Sequence, residues 1–81
     1  MRNFKNYDIW IDGIEMTDVI YDLCEKFPPK EIYQLESQME RAAVSIPSNI
    51  AEGAGRRSVA EFAHFLDIAL GSAYELETQL I

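Results

Sequence analysis

Val59, Phe62, Leu66, Ala69, Ala73, Leu76 and Leu80 follow one another at alternating steps of three and four, so an apolar stripe runs down one helical face for three heptads. A strand cannot hold that spacing on one face, and a lone helix cannot bury the stripe, so the pattern demands a helical bundle. Just ahead of it, Ser58-Val59-Ala60-Glu61 has the S-x-x-E form of a capping box, in which Ser58 and Glu61 bond backbone N–H groups left free at a helix start. A helix over about 59–81 follows.

Two further helices precede it. Ile9, Gly13, Met16, Ile20, Leu23 and Phe27 set the seam of helix one, about 7–27, and Trp10, Ile14, Thr17, Tyr21 and Cys24 form a second row beside that seam. The combined arc covers about half the circumference, more than one partner helix can hide. Pro28-Pro29 ends helix one, because proline lacks the N–H and disfavours helical geometry in the residue before it. Helix two, about 30–52, buries Ile32, Leu35, Met39, Ala42, Ile46 and Ile50 and turns Gln34, Ser37 and Arg41 to water. Gly53-Ala54-Gly55 is expected to stop it by taking positive φ.

The pattern halts at Ile81 with no glycine cap, basic last turn or proline. The expected fold is one all-α domain over 1–81, an antiparallel up-and-down four-helix bundle present as three helices with the fourth missing. Three such helices leave a groove that another subunit fills or that stays exposed.

Several residues stand out against this pattern. Pro47 lies inside helix two, where it removes one hydrogen bond and crowds the carbonyl of Ala43, at a cost of about 3 kcal/mol. Either the kink opens backbone at a binding surface, or Ser45, Ser48 and Asn49 satisfy the freed groups while the helix bends around its bundle. At about 100° per residue Glu77 falls among Val59, Leu66, Leu70 and Leu80, where a buried carboxylate needs a partner. Arg41, Arg56, Arg57, Ser45, Asn49 or a group on the missing helix or another subunit could supply it, and the pair would then fix register. Trp10, Ile14 and Tyr21 serve either as core against a fourth helix or as the centre of an oligomer interface.

Catalytic and metal chemistry lack the residues they need. Glu61-x-x-His64 has the spacing of half a di-iron ligand set, but His64 is the only histidine in the chain and lies away from the apolar seam. Serines 45, 48, 58 and 72 have no histidine with a claim to be their base. The expectation is no enzyme, no metal and no cofactor. Gly53-Ala54-Gly55-Arg56-Arg57 lacks the GK[ST] ending of a nucleotide loop and is better explained as a turn between helices. Its two arginines beside a helix start still form the best anion-facing patch, with Glu52 placed to neutralise one of them. A single cysteine and the absence of a signal segment or an 18-residue apolar run point to a reducing cytoplasm and no membrane partner. Fourteen acidic against seven basic residues, a formal charge of −7, oppose contact with nucleic-acid phosphates unless the basic groups cluster.

FKNYDIW, FPPKEIYQLESQMERAAVSIPSNIAEGAGR and EFAHFLDIALGSAYELETQL, in that order, resemble the small bacterial four-helix-bundle proteins encoded in intervening sequences of 23S rRNA genes. The resemblance spans nearly the whole chain and implies a fourth helix and no enzymatic activity. The accessory variability determinant of diversity-generating retroelements is similar, and it implies a homopentamer that binds RNA or DNA and works with a reverse transcriptase. Basic residues often stand in the family where this sequence has Glu40, His64 and Leu70, which leaves Arg41, Arg56 and Arg57 as the phosphate contacts. The expected function is a non-catalytic, oligomeric accessory factor that binds nucleic acid. The alternative is an acidic, ring-forming protein-interaction module that binds none.

Overall fold

The computed structural model describes residues 2–26 and 33–80. The fold is all-α: a 3-10 turn at Phe4–Asn6, then α1 (Asp8–Glu25), α2 (Tyr33–Ala54) and α3 (Val59–Leu80). The expected capture of Phe27 and Ile32 in the seams, the Pro28-Pro29 break and the end at Ile81 lie outside the described residues. The 3-10 turn had no periodic signal in the sequence. It closes with the Tyr7 N–H donating to Phe4 O at 3.0 Å, and Asp8 then places a carboxylate in the first turn of α1, where the helix dipole favours it.

The helices run up, down and up. Thr17 meets Ala43 and Cys24 meets Glu36, so α1 and α2 are antiparallel; Ser45 meets Ser72 and Gly53 meets Phe65, so α2 and α3 are too. Both outer helices pack on α2, and no Cα of α1 comes within 8 Å of one in α3. Ile20, Cys24, Met39, Ala42, Ala43 and Leu76 form the buried cluster, with Leu23 and Ile46 packed against it. The seams placed Ile9 and Met16 with these residues. They are instead 52% and 44% exposed, because among the described residues no further element stands between α1 and α3.

Two corrections concern α2. The helix ends inside the expected run, after Ala54, but among the described residues no glycine there takes positive φ. Gly53 is required for closeness: a Cβ there would sit 2.7 Å from Phe65 Cβ and 3.0 Å from Phe62 Cδ1, so its absence lets α3 approach α2.

The second correction concerns Pro47, which is buried with its ring against Gly13, 3.3 Å from the place a Gly13 Cβ would take. The carbonyl it deprives of a donor is that of Ala43, four residues back. The sequence expectation gave the compensation to Ser45, Ser48 and Asn49, but it comes from α1. Thr17 Oγ1 shares its proton between Gly13 O at 2.9 Å and Ala43 O at 3.2 Å. The three expected residues sit on other arcs of α2 and cannot reach that carbonyl.

Thr17→Val should therefore lower stability by about 1–2 kcal/mol, since Ala43 O is left without a donor. In a Pro47→Ala background the same change should cost less, because the residue at 47 regains an N–H for Ala43 O. Urea unfolding of the four proteins measures the coupling, and additive losses would show that Thr17 does not serve the kink.

Candidate functional site

An apolar concavity lies between α1 and α3, with α2 as its floor. Ile9, Asp12, Gly13 and Met16 form one wall, Leu66, Ala69, Leu70 and Ala73 the other, and Ile46 and Ile50 the base of a cleft of about 490 Å³. Asp12 is the only ionisable residue among these. Glu77, which the sequence placed on the apolar face of α3 as a buried and paired carboxylate, is exposed and has no recorded hydrogen bond or ion pair among the described residues. The helical angle placing it near Leu70 and Leu80 is correct, but that face is uncovered: Leu70 is 51% and Leu80 48% exposed.

A second apolar recess lies on the far side of α1. Trp10 and Phe4 meet edge to face with ring centroids 5.4 Å apart, and together with Ile14, Thr17, Val44, Pro47, Ser48 and Ala51 they enclose it. Tyr21 is exposed farther along α1. Of the expected polar network, Ser48 lines this recess, whereas Ser45 and Asn49 face α3. Asn49 Nδ2 donates to Ser45 O at 2.8 Å and to Ser45 Oγ at 2.9 Å, and Ser72 Oγ donates to Ser45 Oγ at 2.8 Å. These half-buried bonds fix the register of α3 on α2.

The proposed arginine set divides. Arg41 lies in a separate recess with Gln38, Ser45, Ser72 and Glu75, on the α2–α3 face. Arg56 and Arg57 stand at the α2–α3 loop, where Arg2 joins them to line one recess with Gly55. Arg2 had no local signal in the sequence, because 54 residues separate it from the loop. Its Nη1 donates to Arg56 O at 2.6 Å, and its guanidinium sits 4.7 Å over the Phe62 ring. Arg56 sits 4.8 Å over Phe65 and pairs with Glu52, four residues back. Ser58 caps α3 by accepting from Glu61 N at 3.0 Å, while its hydroxyl donates to Glu61 Oε1 at 3.3 Å. The reciprocal half of the capping box is thus closed through the hydroxyl and not through the Ser58 N–H. His64 is exposed, edge-on to Phe65.

A chain of this length with such residues matches one known family model, the 23S rRNA-intervening sequence protein, over residues 5–81. The chain belongs to that family. No curated protein matches it. The fold of the matched chain is all-α, with α1 and α3 on α2 and the groove open between them.

One cluster went unnoticed in the sequence. Cys24 Sγ and a carboxylate oxygen from each of Glu36 and Glu40 lie within 4.8 Å of one another, a set able in principle to ligate a metal. The thiol is accounted for without one: it is 2% exposed and donates to Glu36 O at 3.9 Å. Its burial, and then the nearby charges of Glu40 and Glu36, raise its pKa above the usual 9.0. The raised value belongs to the folded state, so the neutral thiol stabilises the fold fully below pH about 9. That contribution is lost as pH climbs through the folded value. The alkaline limb of a stability–pH curve should therefore be shallower in Cys24→Ala than in the parent, as measured by thermal unfolding from pH 8 to 11. Parallel limbs would show that the thiol carries no such coupling.

Proposed function

We propose that this member of the 23S rRNA-intervening sequence family is a non-catalytic assembly module that forms homo-oligomers through its uncovered apolar faces. The observation that carries this reading is the α1–α3 groove. Its walls keep Ile9 and Leu70 about half exposed, and side chains of that size are normally buried in a stable small domain. Burying about 100 Å² of such surface is worth about 2.5 kcal/mol before the costs of association. The recess around Trp10, Ile14 and Val44 offers a second apolar face on the other side of α1, so one copy can touch two neighbours, as a ring requires.

Light scattering should report a mass above the 9.3 kDa of one chain. Ile9→Lys with Leu70→Lys should reduce that mass. Each copy carries a charge of −7, so added salt should strengthen the assembly by screening repulsion between copies. A monomer at high concentration in salt would overturn the reading.

Nucleic-acid binding is a second reading, favoured by one observation: Arg2 joins Arg56 and Arg57 at the loop. Arg41 contributes to a different surface, beside Glu75. Binding to structured RNA would have the opposite salt dependence, weakening steeply as counterions compete. A gel-shift series across salt therefore separates the two readings, and a shift insensitive to Arg56→Ala with Arg57→Ala would count against the arginines.

A further inference from the structure

We infer that the recess formed by Arg2, Gly55, Arg56 and Arg57 binds a single terminal phosphoryl group, the dianion of a phosphomonoester, and not an extended nucleic-acid backbone. The inference shares its arginines with the nucleic-acid reading and is independent of oligomerisation.

The first ground is placement. Three of the chain's seven basic residues line one recess at one end of a molecule whose formal charge is −7. Arg2 reaches it only because the N-terminal segment folds back: Tyr7 stacks on Phe62 with centroids 6.2 Å apart, and Arg2 covers the same ring.

The second ground is preorganisation. Arg2 is held by Phe62 and the Arg56 carbonyl, and Arg56 by Phe65 and Glu52, so two long side chains have given up rotamer freedom before a ligand arrives. Each guanidinium, with its Cζ over a ring, has N–H groups beyond the one bonded to the Arg56 carbonyl or to Glu52, and arginine grips phosphate through such groups. Arg57 has no recorded hydrogen bond or ion pair among the described residues and is exposed. Its charge is not already spent within the fold.

Charge then sets the ligand. Arg2, Arg56 and Arg57 supply three positive charges and Glu52 removes one, leaving two. Glu61, on the first turn of α3, is turned to the Ser58 hydroxyl. Two positive charges match a phosphomonoester, which carries about −1.5 to −2 at pH 7. A polynucleotide presents about one charge per 1.7 Å of duplex and would have to lie along helices rich in Asp and Glu. Only its end, or a small molecule, can meet the arginines without meeting the carboxylates.

The test uses inorganic phosphate at fixed ionic strength, followed by 31P NMR or calorimetry with chloride as the control. Saturable binding is expected, with affinity reduced about tenfold or more in Arg57→Gln, at a side chain with no hydrogen bond or ion pair among the described residues, and likewise in Arg2→Gln. Two short single-stranded oligonucleotides of one sequence, one with a 5′-phosphate and one with a 5′-hydroxyl, then compete for the site. Displacement of phosphate by the phosphorylated one alone supports a terminal-group site at the end of a chain. Displacement by neither, with phosphate still bound, supports a small phosphomonoester. Equal displacement by both would overturn the proposal in favour of backbone binding, and so would phosphate binding that matches chloride or is unchanged in Arg57→Gln.

Discussion

The joint between Pro47, Gly13 and Thr17 is what the rest of the arrangement depends on. Proline inside a helix leaves a carbonyl without a donor and adds a ring that fills space a normal backbone would not. Here both consequences are answered by α1. Gly13 has no Cβ to collide with the ring, and one helical turn on, Thr17 brings a hydroxyl to the Ala43 carbonyl. The two residues share the α1 face that also carries Ile20 and Cys24, so satisfying the proline also seats the core cluster. Register between α1 and α2 is fixed by a polar bond and a steric fit at once, which apolar packing alone would specify only loosely.

With α1 placed by that joint and α3 placed by Gly53, the two outer helices are committed to separate faces of α2. Gly53 lets Phe62 and Phe65 approach closely, and the Ser45–Asn49–Ser72 bonds hold the level of α3 farther along. Neither contact draws α3 toward α1. The groove is thus a consequence of where the close contacts lie, and Ile46 and Ile50 form its floor because they occupy the arc of α2 between the two contact faces.

Helix number, type and approximate bounds were legible in the sequence because they depend on local periodicity: the Val59–Leu80 stripe and the Ser58 cap needed no tertiary knowledge. The family was legible too, from segments spread over most of the chain. What periodicity could not say is which apolar stripe ends up covered. Ile9, Met16 and Leu70 have the spacing of core residues and line an open groove, and Glu77 shares a face with leucines without being buried. Burial depends on the elements opposite, and a wheel diagram holds one helix at a time. The arginine set was legible only in part: Arg41 was grouped with Arg56 and Arg57 by charge, although it lies well inside α2 and lines a different recess from the loop arginines, while Arg2 was passed over because its neighbours in space are distant in sequence. The donor to Ala43 had a readable clue, since Thr17 is a hydroxyl residue in an apolar row, but its target became identifiable only once α1 and α2 were aligned.

The two candidate surfaces draw on different forces. The groove offers apolar area, whose value changes little with ionic strength, set within an acidic body that repels its own copies; screening therefore favours what the groove does. The arginine recess offers charge at the loop end, where Glu52 pairs with Arg56 and no carboxylate is among the lining residues. A net charge of −7 with its densest positive spot at one tip gives the molecule a polarity along its 44 Å length. An anion approaching from the side is turned away, and one approaching the tip is drawn in. Because the same acidity weakens self-association and directs the anion to one end, the chain can keep a strongly negative surface and still bind a negative group, provided that group is small enough to stay at the tip.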